Sequence, residues 1–250
     1  MKLSVFGLLV VFGLTSVLSN QGRAATILWD DSHDTDGDEL SGNTSAFAAS
    51  MATAGHILLE LDGVPGAITP TALVGVDAFF LWDAELALTT SEITTLQNFV
   101  EAGGGLFVAY DAGTDLTSNN ALLAPYGLSL STTPAASTVS GFVPHPITSG
   151  LTSITTSAGG TVGTTGAAID LTVAGGSSNV LAVSAAPRRV VAFGDTGTFT
   201  TVFSSADNRK LGVNMANFTV APEPAFVAHV AVASILLSLY RRKKAPHNRI

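Results

Sequence analysis

Apolar residues fall into short continuous runs, separated by stripes spaced as on a helix. "TILWD", "HILLEL", "VDAFFLW" and "LFVAY" read as strands. The near-unbroken apolar character of the last two predicts burial on both faces of a sheet. "NTSAFAASMATAG" predicts a helix that Asn43 could cap, with Phe47 and Met51 on one face and Gly55 at its end. "TTSEITTLQNFVEAGGG" is the clearest helix. Ser91 and Glu92 stand at its start, Ile93, Leu96, Phe99 and Val100 form its stripe, and Gly103 to Gly105 stop it. "NVLAVS" and "RRVVAFGD" return as apolar strands, and "NRKLGVNMANF" reads as a closing helix. Strands alternating with helices predict an α/β fold, a parallel sheet with right-handed crossovers. Residues 129–178 are dense in Ser, Thr, Gly and Ala and poor in charge. They predict an insertion of short β elements or loops, with disorder as the alternative.

The two ends of the chain follow other rules. Lys2, an apolar stretch from Leu3 to about Leu18 and small residues up to Ala24 predict a signal peptide over 1–24, against an uncleaved N-terminal helix. The apolar run Ala225 to Tyr240 would form a helix of about 24 Å, short for a bilayer core. Arg241, Arg242, Lys243 and Lys244 follow it, and their stems can extend its reach to the headgroups. This predicts a transmembrane helix over 225–240 with the body of the protein outside, the alternative being a buried core helix. Pro222-Glu223-Pro224 adds a stiff, extended element before that run. The middle, 25–219, is about one domain of chain.

Charge narrows the partners. Between Ala25 and Ala221 stand 18 Asp and Glu against four Lys and Arg, a net of −14 where the whole chain carries −8. Such a surface repels phosphate backbones, which argues against nucleic acid, and suits an exported protein or one that collects divalent cations. The chain has no cysteine, so disulfides, thiolate metal sites and a cysteine nucleophile are excluded.

Two resemblances follow from these residues. The order Pro222-Glu223-Pro224, apolar run, Arg241-Arg242 resembles the PEP-CTERM sorting signal over 220–250. It implies processing by an exosortase, a membrane anchor that is lost on sorting, and a destination in the cell envelope or extracellular matrix, with extracellular polysaccharide as a possible partner. The phrases "ILWDDSHDTDG", "GVDAFFLWDAE", "LQNFVEAGGGLFVAYD", "HPITSGL" and "VVAFGDTGTF…NRKLGVNMANF" together resemble the class I glutamine-amidotransferase-like group. That resemblance implies a flavodoxin-like sheet and a nucleophile on the turn after the fourth strand. Asp111 stands roughly in the nucleophile's place, and no His-x-Glu pair follows "GDTG". An aspartate there cannot perform thiolate acyl transfer.

In open α/β sheets ligands bind at the carboxyl ends of the strands. Asp30 to Asp34, Asp83, Asp111 and Asp195 are expected on that edge. His33, Asp111 and Asp195 are the candidate catalytic residues, His33 as a general base oriented by a carboxylate or as an ordinary loop residue. Asp30, Asp31, Asp34, Asp36 and Asp38 are candidate ligands for Ca²⁺ or Mg²⁺, against a solvated acidic loop. The segment is no EF-hand, because Glu39 and Ser45 take the places of the required Gly and Glu. Ser32, Ser41 and Thr198 are hydroxyls near acids. His145, between prolines, is placed near the site edge by the family resemblance. Gly194 and Gly197 could turn backbone amides toward a ligand. Asp115 is expected to face solvent. Two readings stay open: a non-catalytic binding or structural domain, and a hydrolase using His33 and the edge aspartates, with or without a metal.

Overall fold

Five strands run parallel in the computed structural model, which describes residues 24–33, 35, 37–157, 159–172 and 179–221. In chain order the elements are β1 (Thr26–Asp30), α1 (Ser45–Thr53), β2 (Ile57–Leu61), β3 (Ala78–Trp82), α2 (Thr90–Glu101), β4 (Gly105–Ala109) and α3 (Leu116–Leu123). The short strands β5 (Leu128–Ser131), β6 (Thr138–Ser140), β7 (Ser153–Thr155), β8 (Thr161–Thr164) and β9 (Ile169–Asp170) follow. The chain then forms β10 (Leu181–Val183), β11 (Arg189–Phe193) and α4 (Asn208–Val220). The main sheet has seven strands in the order β2-β1-β3-β4-β11-β10-β9. Its parallel strands, counted by sequence, stand 2-1-3-4-5, the doubly wound order of flavodoxin-like sheets. β10 and β9 add an antiparallel flank.

Alternation sorts the side chains of the central strands into two cores, because successive residues of a strand point to opposite faces. Ile27, Trp29, Phe80, Trp82, Phe107 and Phe193 pack on one face against Phe47 and Met51 of α1 and Leu211 and Met215 of α4. Leu28, Phe79, Leu81, Leu106, Val108 and Val190 pack on the other against Leu96 and Val100 of α2 and Leu122 and Leu123 of α3. With both faces covered, β3, β4 and β11 are buried at every position. The first core is aromatic. Trp29 and Trp82 lie 4.4 Å apart between ring centroids, and Phe80 and Phe107 lie 5.0 Å apart.

Three local expectations need correction. The helix α1 starts at Ser45 after Thr44, with no side-chain cap, so Asn43 does not cap it. "LTSNNALL", which has no apolar stripe to betray it, forms α3. Asp115, partly exposed, is also the N-cap of that helix: its carboxylate accepts from Ser118 N at 2.9 Å and from the Ser118 hydroxyl. Asp115→Ala should therefore lower stability by about 1 kcal/mol in urea unfolding, the usual worth of a cap, and an unchanged midpoint would contradict that role. The alternation of strands and helices also fails between β2 and β3, where the described chain makes turns only. α1 packs on one face of β2, where Leu58 meets the core; on the other face no described helix covers the edge strand, and its Ile57 and Leu59 are 51% and 48% exposed.

The insertion carries short strands, as its composition suggests. β5 pairs with β8 and β6 with β7, both antiparallel. The signal peptide (apart from Ala24), the Pro222-Glu223-Pro224 element and the apolar run 225–240 lie outside the described residues. Among the described residues no helix is long and apolar enough to cross a membrane.

Candidate functional site at the carboxyl edge

Strand order decides which edge residues can meet. Neighbouring strands lie roughly 4.8 Å apart. β1 and β11 are three positions apart in the sheet, so their ends are separated by about 14 Å on that spacing. The candidate catalytic residues accordingly fall into two groups. His33 belongs to a network at the end of β1, at the switch point between β1 and β3. Asp111 and Asp195 sit at the ends of the adjacent strands β4 and β11, joined by Asp83 from β3.

In the first group His33 is fully buried between two carboxylates. Its Nδ1 lies 2.9 Å from Asp30 Oδ2 and its Nε2 lies 3.3 Å from Glu92 Oε2. The Ser32 hydroxyl donates to Asp30 Oδ1 at 2.7 Å. Glu92 is set there by a capping box at the start of α2. Thr89 Oγ1 accepts from Glu92 N, and Glu92 Oε2 accepts from Thr89 N at 2.9 Å. Its other oxygen accepts from Gly66 N at 2.7 Å and Ile68 N at 3.2 Å. Burial opposes charge on His33. The hydrogen bond and charge of Asp30 and the charge of Glu92 outweigh it and raise its pKa. Burial also opposes charge on Glu92, and there the bonds from Thr89, Gly66 and Ile68 win and lower its pKa. The group is a buried ion cluster that ties the β1 loop to α2. Both imidazole nitrogens are engaged, which leaves neither free to take a proton from a substrate.

The second group is acidic. Asp111, half-buried, accepts from Ala112 N at 2.6 Å and from the Thr196 hydroxyl at 2.5 Å. Asp83 is buried and contacts the Thr114 hydroxyl. It also stands at φ 42°, in the left-handed region that residues other than glycine rarely adopt. Burial pushes its carboxyl up to about 7. The Thr114 hydrogen bond resists that shift, and the charges of Asp111, Glu85 and Asp38 add to it. Asp195 is fully buried, and its Oδ2 accepts from Ser157 N at 2.5 Å and the Thr198 hydroxyl at 3.0 Å. Burial raises its pKa as well, only partly offset by those bonds.

The insertion closes over Asp195. Gly160 N donates to Gly194 O at 2.6 Å, and a Cβ on Gly160 would stand 1.9 Å from Ser131 O. Two backbones cross there at a distance only glycine permits. Gly194 and Gly197 therefore face the insertion, where a Cβ would meet Gly160 and Ser157, and present no open amide cradle.

The remaining candidates are scattered. Of the proposed metal ligands, Asp30 turns to Ser32 and His33, Asp31 accepts from Thr35 at 2.9 Å, and Asp38 accepts from Trp82 Nε1 at 3.0 Å. They do not converge. Among the described residues no three acids or histidines are grouped to hold a metal, and Asp34 and Asp36 lie outside those residues. Ser41 is exposed. His145 packs its ring on Phe218 at 4.9 Å, near the end of α4. Thr219 of that turn lies against Gly105 and Arg189, at the amino ends of β4 and β11, so His145 is far from the carboxyl edge. A cavity of about 320 Å³ lined by Tyr126, Ser184 and Arg188 also lies toward the amino end of β11.

The partners that organise both groups are not apparent in the sequence. There Glu92 marks a helix start, and the Thr89-x-x-Glu92 spacing marks a capping box; the fold makes it the second carboxylate on His33. Thr114 and Thr196 carried no signal in sequence, because a bridging threonine has no spacing rule.

No protein-family model matches the chain, and no curated protein matches it significantly. Solved structures do resemble it. The mmIFT52 N-terminal domain superposes with a TM-score of 0.67 at 16% identity, covering 80% of this chain and 99% of that one. The cytoplasmic protein STM3548 from Salmonella typhimurium gives 0.56 at 12% identity, covering 78% and 98%. A ThuA-like protein from Bacteroides uniformis gives 0.50 at 14% identity, covering 82% and 96%. At these identities the likeness is one of fold. The chain thus has the α/β architecture of ThuA-like and class I glutamine-amidotransferase-like domains, with Asp111 rather than a cysteine after its fourth strand.

Proposed function

We infer that the protein is an exported cell-envelope or extracellular-matrix protein, directed by a signal peptide and a PEP-CTERM tail, whose α/β domain binds or builds and does not catalyse. The observation that carries the second half is His33. It is fully buried, with each ring nitrogen on a carboxylate. A hydrolase built on His33 and the edge aspartates needs an imidazole nitrogen facing a substrate and a carboxylate beside it. Here Asp111 and Asp195 belong to strands remote from β1. The acidic surface, −14 over the middle of the chain, suits a partner in the matrix such as extracellular polysaccharide with its counter-ions, and disfavours nucleic acid.

The sorting half rests on Pro222-Glu223-Pro224, the apolar run and Arg241-Arg242. An exosortase-type enzyme is the expected partner, and the membrane holds the chain until it acts. Replacing Pro222, Glu223 and Pro224 with alanine should leave membrane association intact, because the apolar run is untouched, and abolish processing. Cell fractionation reads this directly. Release from the triple variant equal to that of the parent would reduce the tail to a plain anchor.

A further inference from the structure

We propose that the amino edge of the sheet is the surface that rests on the lipid while the C-terminal apolar run is held in the bilayer, so that the acidic carboxyl edge faces away from the membrane. This rests on the anchored tail inferred above; how the domain sits on that anchor follows from the fold. The last turn of α4 touches the starts of three strands. Asn217 Oδ1 lies 3.1 Å from Nε2 of His56, the residue before β2. Thr219 O accepts from Nε of Arg189, the first residue of β11, at 3.0 Å. It also lies so close to Gly105, the first residue of β4, that no Cβ would fit there. Ala221, whose amide donates to Phe218 O, follows directly. The other end of the domain leaves from the same place, since Ala25 O accepts from Ile57 N at 2.8 Å. Both ends of the domain thus leave it at the amino edge.

The tether from that edge is short. Pro222, Glu223 and Pro224 alone separate Ala221 from the apolar run that starts at Ala225. Four steps of fully extended chain reach at most about 14 Å. The parallel strands are five residues each, so the sheet measures about 17 Å from its amino edge to its carboxyl edge. A domain lying on its carboxyl edge would hold Ala221 farther from the bilayer than the tether allows.

The chemistry of the two edges agrees with this placement. Ile57 opens β2 half-exposed, and Val74, three residues before Asp77 at the start of β3, is 80% exposed. Both can bury apolar surface at the boundary between headgroups and acyl chains. The acids nearest this edge are engaged. Asp77 accepts from Thr26 N at 2.9 Å, and Glu101 pairs with Arg188 through two bonds of 2.6 and 2.9 Å. Asp30, Asp31, Asp38, Asp83, Glu85 and Asp111 stand at the ends of the strands or in the loops beyond them. That sets them about 17 Å above the headgroups, twice the Debye length of roughly 8 Å at physiological ionic strength. Anionic lipid then hardly repels them. The edge where α/β sheets receive ligands is left open to the matrix.

The chain has no cysteine, so a single introduced thiol can report on each edge. Val74→Cys marks the amino edge. Leu86→Cys marks the carboxyl edge, where Leu86 N donates to His33 O at 2.9 Å. Both side chains are exposed, so neither substitution removes core packing. Each full chain is labelled with a fluorophore and reconstituted into vesicles of phosphatidylcholine and phosphatidylglycerol that carry a nitroxide on the headgroup. The probe at position 74 should be quenched, and the probe at position 86 should keep its emission. Equal emission loss at the two positions, or a greater loss at 86, would overturn the proposal. Flotation of the same vesicles separates the two ways of failing. A chain that floats without the expected difference overturns the placement alone, whereas a chain that does not float overturns the membrane anchor and the placement with it.

Discussion

Phe80→Ala is expected to lower the unfolding free energy by about 3–5 kcal/mol, the range for truncating a buried aromatic to alanine. Phe80 lies on β3, the middle of three adjacent strands in the order β1-β3-β4, and is fully buried. Its ring stands 5.0 Å from Phe107, 6.2 Å from Trp29 and 6.5 Å from Phe47 between centroids. The space it leaves is walled by large planar groups that are themselves packed on Trp82 and Phe199, so collapse into it is limited and the loss should fall toward the upper end of that range. Chemical denaturation measures it. A midpoint equal to the parent's would show that the aromatic layer is not the core of the sheet.

His33→Leu should cost a comparable amount for an electrostatic reason. It leaves Asp30 and Glu92 buried without their shared cation, and breaking one partner out of a buried ion cluster typically costs about 3–5 kcal/mol. The pH dependence separates this from loss of packing. The folded-state pKa of His33 is raised, so the stabilisation is complete below the ordinary histidine value of 6.5 and disappears as pH rises through the raised folded value. Glu92 acts oppositely. With its pKa lowered, its contribution is present above the ordinary value of 4.5 and is lost as pH falls through the lowered one. Thermal melts should therefore show the gap between parent and variant largest near pH 6 and smaller at alkaline pH. A constant gap across that range would mean that His33 acts through its shape alone.

Much of the fold was legible because it depends on periodicity. Strands covered on both faces need apolar residues at every position, and "AFFLW" and "GLFVA" have nothing else. The stripe Leu96 and Val100 announced α2 in the same way, and both are buried. α3 was not legible. Its helix is made of Thr, Ser and Asn around two buried leucines, and what holds it is the Asp115 cap and the space between α2 and β5. The antiparallel direction of β10 was equally hidden, since three apolar residues look the same in either direction.

The candidate site divides along the same line. Residue chemistry alone placed Asp30, Asp83, Asp111 and Asp195 at strand ends, because an acid after a buried strand marks where the chain leaves the core. It also removed thiol chemistry, since a chain without cysteine has none in any fold. Which of those acids meet is a property of strand order, and strand order is set by crossovers that no local pattern encodes. The sheet order sets β3 and β4 between β1 and β11, and so parts His33 from Asp195. The same order brings Asp83 to Asp111 through Thr114. Burial completes the division. Whether a carboxyl beside a strand end is solvated or has its pKa raised by burial depends on what lies over it. For Asp195 that is a glycine crossing from an insertion more than 30 residues upstream in the chain. Such long-range contacts carry their energy in desolvation and charge proximity, which depend on distances in space and leave no period in sequence.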